Sequence, residues 1–125
     1  PYQMSAFSHM MMTHGINFQH IANRRNANYV ILNKLLHDIA LFPNAPLDMV
    51  PLGFPIRVNN RQDLQDHLLN HNVTSGVAWN LQGVISNRYE ESHRLSKDII
   101  TLPCDQRYNE DDMVYIAETI RKHIK

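Results

Sequence analysis

Residues 100–113 have the sequence ITLPCDQRYNEDDM, which combines a short apolar run, a turn and an acidic segment. The run from Ile99 to Cys104 predicts a buried strand, because it is apolar and short. Asn109 predicts a helix cap, and the three acidic residues after it complement the positive end of a helix dipole. We therefore expect a strand, a turn and a terminal helix that extends over residues 109–124.

Two further helices are predicted by the spacing of apolar residues. The first runs from Asn17 to Leu41, with apolar side chains at intervals of three and four, and prolines follow its end. The second begins at Asn60, and Asn72 suits the left-handed turn that ends a helix. Its apolar face is expected to consist of Leu64, Leu68 and Leu69. A shorter helical turn is predicted over residues 89–96.

Two more strands complete the predicted fold. Apolar residues alternate from Leu52 to Val58, and Pro51 and Pro55 fall on the opposite face. Since proline donates no ladder hydrogen bond, this strand is expected at a sheet edge or with a bulge. Residues 73–79 predict another strand. Together these elements indicate an α/β fold, an α+β two-layer domain with a small, mainly antiparallel sheet and helices packed on one face.

Length and composition indicate one globular domain. The chain has 125 residues, of which 43% are hydrophobic and 19% charged, enough for a single core. We assign residues 1–16 to an N-terminal arm and residues 17–125 to the domain. The arm has no clear helical period, so it predicts either a segment that packs on a neighbour or a frayed end. We expect a monomer, or a weak dimer that depends on this arm.

Charge, hydropathy and cysteine content argue against several functional classes. Lys and Arg number 12, as do Asp and Glu, so no net field favours nucleic acid or an anionic membrane. No run approaches the roughly 20 apolar residues that span a bilayer. The first residues lack the cationic and apolar regions of a signal peptide. One cysteine, Cys104, fits a reducing compartment, so we expect a cytoplasmic location.

Few residues form clusters that could carry chemistry. His67 and His71 lie four apart on one predicted helix, but a zinc site needs further ligands, so surface histidines are the preferred interpretation. Cys104 ends an apolar strand and is expected to be a packing thiol rather than a nucleophile. Arg57 and Arg107 could each hold a carboxylate through two hydrogen bonds, but exposed, solvated arginines are the preferred interpretation. The residues alone therefore predict no catalytic group and no metal site.

The ordered set of elements resembles the C-terminal small domain of DegT/StrS-type aminotransferases, which are fold type I enzymes dependent on pyridoxal phosphate (PLP). In these, a strand ending as Leu102-Pro103 does here precedes a short turn and an acidic-capped terminal helix. Arg24-Arg25-Asn26 resembles the start of the helix that joins the two domains, and Phe54-Pro55-Ile56-Arg57-Val58 the first small-domain strand. The resemblance covers about residues 17–124. It departs at Ala78-Trp79-Asn80, where family members often have His-aromatic-Pro.

The resemblance implies a parent enzyme that transfers an amino group between an amino acid and a keto compound, with a nucleotide-linked keto sugar as one candidate acceptor. In such enzymes the cofactor lysine lies in the large domain. This chain alone is therefore expected to bind no PLP, and its partner would be that large domain. The small domain closes the active-site cleft, and Arg107 is the first candidate for a substrate contact, followed by Trp79 and Tyr108.

Two other functions remain as alternatives. The first is a standalone or degenerate α/β module that binds another protein without catalysis. The second, ranked lower, is a metal-dependent hydrolase built on the histidines.

Overall fold

The computed structural model describes residues 3–46, 48–77, 80–81 and 83–124, which contain five α-helices and a two-stranded sheet. The strands are β1 (Phe54–Arg57) and β2 (Ile99–Leu102), which pair antiparallel with Phe54 opposite Leu102. The helices are α1 (Ala6–Met10), α2 (Phe18–Leu35), α3 (Arg61–Asn70), α4 (Glu90–Asp98) and α5 (Glu110–His123), with a π-helical turn at Met11–Gly15. The predicted mixed fold class is confirmed.

The sheet is widened on each side by one isolated bridge. Ala40 pairs with Ile56 on the outer side of β1, and Gly76 pairs with Thr101 on the outer side of β2. Proline has no amide hydrogen to donate to a neighbouring strand. On the outer side of β1, Pro55 instead accepts the Leu41 amide through its carbonyl at 3.0 Å. β1 therefore lies at an edge of the two-stranded sheet, as predicted, with one isolated bridge to Ala40 on its outer side.

The core lies between one face of the sheet and three helices. Phe54 and Ile56 of β1 and Ile100 and Leu102 of β2 are fully buried. They pack into one cluster with apolar residues of α2, α3 and α5, namely Tyr29, Leu32, Leu64, Leu68, Met113, Ile116 and Ile120. Because α2 and α5 pack against each other and share this core, the predicted arrangement of helices on one sheet face is confirmed.

Both predicted helix caps are present. The Asn17 side chain accepts the His20 amide at 2.9 Å at the start of α2. At α5, Asn109 accepts the Asp112 amide at 3.1 Å while the Asp112 carboxylate accepts the Asn109 amide at 2.8 Å. This reciprocal capping box fixes where the β2–α5 turn ends.

The long helix ends six residues earlier than predicted. Its last residue is Leu35, since residues 39–41 turn to lie beside β1, where the Arg57 amide donates to the Ile39 carbonyl at 2.9 Å. The Tyr29 hydroxyl donates to the Phe42 carbonyl at 3.2 Å and holds the returning chain on the helix. Pairing with the sheet therefore ends this helix before the prolines do.

The strand predicted over residues 73–79 is wrong for the part that the structure describes. Asn72 adopts the left-handed conformation expected of it, with φ at 59°, and the Val73 amide still donates to the Leu68 carbonyl at 2.9 Å. The chain therefore reaches the sheet only at Gly76, where a single bridge forms. Ala78 and Trp79 lie outside the described residues.

Three smaller corrections concern helical segments. Leu69 was expected on the apolar face of α3, but it is exposed, while Leu64 and Leu68 are buried. The turn predicted over residues 89–96 is a nine-residue helix, α4. The arm contains α1 and the π-helical turn where no element was predicted, and neither has a buried residue. None of the helices in the described part of the chain is both long and apolar enough to cross a membrane.

Candidate functional site

An apolar concavity of about 750 Å³ lies on the sheet face opposite the core, where Leu95 of α4 also lines it. Its floor is formed by side chains on the opposite parity to the core, including Pro55, Ile99 and Thr101. Its wall comes from the connection between α2 and β1, where Phe42 and Val50 are more than half exposed and Leu52 is 89% exposed. Apolar side chains this exposed around a concave surface are typical of a contact site.

A close backbone approach places this wall on the sheet. A Cβ atom added to Gly53 would lie 2.5 Å from Thr101 Cγ2 and 3.1 Å from the Leu102 carbonyl oxygen. Only glycine allows the chain to enter β1 this near to β2. The sequence offered one signal for this site, since residues 41–55, LFPNAPLDMVPLGFP, are rich in apolar side chains and prolines, and none of those that the structure describes is helical.

The turn between β2 and α5 places Arg107 and Tyr108 side by side. Arg107 donates from Nε and Nη2 to the two Asp105 oxygens at 2.9 and 2.8 Å, and its guanidinium carbon lies 5.6 Å from the centre of the Tyr108 ring. The hydrogen bond from Arg107 holds the pKa of Asp105 below its ordinary value. Arg107 thus makes a two-pronged contact, with Asp105 as its carboxylate.

Two polar residues of α2 hold this turn in place. The buried Asn28 side chain donates to the carbonyls of Asp105 and Tyr108 at 3.0 and 3.1 Å. Arg25 donates to Gln106 Oε1 and to the Pro51 carbonyl, both at 2.9 Å. Arg25 belongs to the Arg24-Arg25-Asn26 segment on which the family resemblance partly rests, but nothing in the sequence pointed to the buried Asn28.

The three predicted substrate-contact residues do not meet in one described cavity. Tyr108 lines a cavity of about 300 Å³ together with Val73, Pro103 and Ile116, and Arg107 does not. The Arg107 side chain is 74% exposed. Trp79 lies outside the described residues. The structure thus brings Arg107 and Tyr108 together.

Cys104 and the histidines behave as structural groups. Burial raises the pKa of the Cys104 thiol to about 11, so it is protonated near neutral pH and is not an activated nucleophile. The rings of His67 and His71 have their centres 4.3 Å apart, and His123 lies 4.7 Å from His67. Within the described ranges, no three such side chains are placed to hold a metal ion.

Solved structures with a similar fold are aminotransferases. The sugar aminotransferase CalS13 from Micromonospora echinospora superimposes with a TM-score of 0.68 at 19% identity. A DegT DnrJ EryC1 StrS aminotransferase from Brucella abortus gives 0.65 at 20% identity. The aminotransferase TlmJ from Streptoalloteichus hindustanus gives 0.64 at 12% identity. This chain has the fold of one part of these aminotransferases. The match covers 83, 82 and 83% of this chain but 31, 31 and 32% of theirs.

The aminotransferase likeness is a likeness of fold. No protein-family model matches the sequence. No curated protein matches it either. The chain spans about a third of the length of the aminotransferases it resembles, so the resemblance drawn from the sequence is confirmed for a fragment of their fold.

Proposed function

We propose that this chain is the C-terminal small domain of a DegT/StrS-type, PLP-dependent aminotransferase and closes the active-site cleft against a large domain. The observation that carries the proposal is the match of over four-fifths of this chain to about a third of three aminotransferases. The sugar aminotransferase among them supports a keto sugar as acceptor. The free, buried Cys104 supports a cytoplasmic location.

The apolar concavity supports the docking of a large domain. Phe42, Val50 and Leu52 expose apolar surface next to the sheet face opposite the core, and covering such surface stabilises an interface between domains. In this proposal the large domain covers the concavity. The turn that carries Arg107 and Tyr108 then provides substrate contacts at the edge of the cleft, with Trp79 as a third.

The described lysines do not fit a covalent PLP site. Lys34, Lys97 and Lys122 are exposed on α2, α4 and α5. A cofactor lysine must instead be held against the ring with its amine activated, which requires an enclosed site. We therefore assign the cofactor to the large domain, where PLP would supply the electron sink for amino-group transfer.

The substrate contacts can be tested in the full-length gene product by steady-state kinetics. Arg107→Gln removes an exposed cation, so we expect KM for one substrate to rise about tenfold or more while the fold persists. Arg88→Gln serves as the matched control, since it removes another exposed arginine. Equal kinetic constants for Arg107→Gln and the control would contradict the assigned contact. Absence of any amino transfer by the unmodified product would contradict the proposed function itself.

The apolar concavity also favours a second candidate, a module that binds another protein. The same exposed side chains at Phe42 and Leu52 would then contact a separate chain. A native start codon immediately before this sequence would support the module, whereas an upstream domain with a strand-borne lysine would support the aminotransferase.

A further inference from the structure

A single buried amide group supports the turn between β2 and α5. Asn28, in the middle of α2, is fully buried. Its Nδ2 lies 3.0 and 3.1 Å from the carbonyl oxygens of Asp105 and Tyr108, and 3.4 Å from that of Cys104. Its Oδ1 is also buried and has no hydrogen-bond partner among the described residues. Three carbonyl groups of one turn therefore converge on this side chain, and each of them needs a donor.

Asp105 connects this buried amide to the exposed side chain of Arg107. The Asp105 carbonyl accepts Asn28 Nδ2 and also accepts the Tyr108 amide at 3.2 Å. The Asp105 carboxylate accepts the Arg107 amide at 3.0 Å, in addition to two N–H groups of the Arg107 guanidinium. The path from Asn28 to the Arg107 side chain thus runs through one residue and is made of hydrogen bonds at both ends.

The pair with Asp105 leaves Arg107 able to bind a ligand. It engages two of the five N–H donors that a guanidinium carries, and the Arg107 side chain is largely exposed. The remaining donors can reach a substrate oxygen while Asp105 fixes the direction of the side chain. An arginine that is ordered in advance loses less conformational entropy when a substrate binds.

A second asparagine of α2 has the same chemistry at a different place in the fold. Asn33 donates from Nδ2 to the Pro43 carbonyl at 2.9 Å. Its Oδ1, like that of Asn28, is buried and has no hydrogen-bond partner in the described part of the chain. The acceptor of Asn33 lies in the connection between α2 and β1, whereas the acceptors of Asn28 lie in the turn that carries Arg107. The two residues therefore form a matched pair for experiment.

From these contacts we infer that Asn28 is a positioning residue, which acts through Asp105 to hold Arg107 in the direction that binds substrate. The inference rests on the substrate contact proposed for Arg107. An aspartate at position 28 has nearly the same shape but presents oxygen atoms to the carbonyl groups of the turn, so the turn must move away. The loss should appear in KM for the substrate that Arg107 binds and much less in kcat.

The experiment is a double-mutant cycle in the full-length gene product, measured by steady-state kinetics of amino transfer. Asn28→Asp should raise KM about tenfold or more for the same substrate as Arg107→Gln, while kcat changes less than about threefold. In the Arg107→Gln background, Asn28→Asp should raise KM by less than about twofold, because both changes remove the same contact. Asn33→Asp is the matched control and should leave KM unchanged.

Urea denaturation separates this effect from a general loss of stability. Asn28→Asp and Asn33→Asp should both lower the urea midpoint, since each replaces a buried donor, yet only the first should raise KM. If Asn28→Asp does not fold, Asn28→Ser, which adds no charge, takes its place in the cycle with the same expectation.

The outcomes separate the inference from the function on which it rests. Equal KM values for Asn28→Asp and Asn33→Asp, or KM increases that multiply in the double variant, would overturn the positioning role and leave the contact of Arg107 in place. An unchanged KM in Arg107→Gln, or no amino transfer by the wild type, would contradict the proposed function and overturn the inference with it.

Discussion

Leu68 and Leu69 are adjacent leucines on α3 with opposite environments, and this difference predicts their contributions to stability. Leu68 is fully buried in the core, and Leu69 is 64% exposed. Burying a leucine side chain contributes about 1.5–3 kcal/mol, and truncation adds the cost of a cavity. Leu68 is surrounded by core side chains, so its truncation should leave an internal cavity. We therefore expect Leu68→Ala to lower the free energy of unfolding by about 3–5 kcal/mol.

Leu69→Ala provides the matched control. Only about a third of this side chain is buried, so its loss should cost less than about 1 kcal/mol. Urea denaturation monitored by circular dichroism would measure both changes, with equal m-values as the check that the unfolded states are comparable. The two variants should differ in Tm by about 8 °C or more. Equal losses of stability, or a larger loss for Leu69→Ala, would refute the packing of α3 described here.

Three further predictions concern the strand entry, the Arg107 turn and the buried thiol. Gly53→Ala should lower stability by about 1–3 kcal/mol, because its Cβ would collide with Thr101; an unchanged urea midpoint would contradict the close approach. Arg107 lowers the pKa of Asp105 in the folded chain. Their ion pair therefore stabilises the fold at pH values above 3.8, the ordinary pKa of the carboxyl, and this contribution is lost as the pH falls through the lowered pKa. The stability difference between the wild type and Asp105→Asn should therefore be present near pH 6 and shrink towards pH 3, and a constant difference would count against the pair. Cys104 should react with iodoacetamide at about pH 8 far more slowly in the native chain than in urea, because the thiol is buried and its pKa is raised to about 11; equal rates would contradict its burial.

Local signals in the sequence predicted the ends of the domain better than its middle. The Asn109 cap and the acidic turn of α5 are recognisable from three or four consecutive residues, and the structure has that capping box. The end of α2 depends instead on pairing between residues 39–41 and β1, which is a tertiary contact that no local pattern encodes. For the same reason residues 73–76 form one bridge rather than a strand.

The candidate surfaces depend on contacts that are distant in the sequence. Asn28 reaches carbonyl groups 77 and 80 residues further along the chain, and Arg61 donates to the Ser96 carbonyl 35 residues further along. Side chains such as these look like ordinary helix residues until the fold brings them together. The sequence identified a two-pronged hydrogen bond as one option for Arg107, but it could not predict that Asp105 is the partner.

The most direct test of the proposed function is the location of the cofactor lysine in the full-length gene product. The product would be incubated with PLP, reduced with borohydride and mapped by mass spectrometry. We predict stoichiometric labelling of one lysine upstream of residue 1, together with amino-transfer activity that is lost when that lysine is replaced by alanine. Stoichiometric labelling of Lys34, Lys97 or Lys122 with retained amino transfer, or a product that has no upstream domain and no labelled lysine, would contradict the assignment of this chain as a small domain without the cofactor lysine.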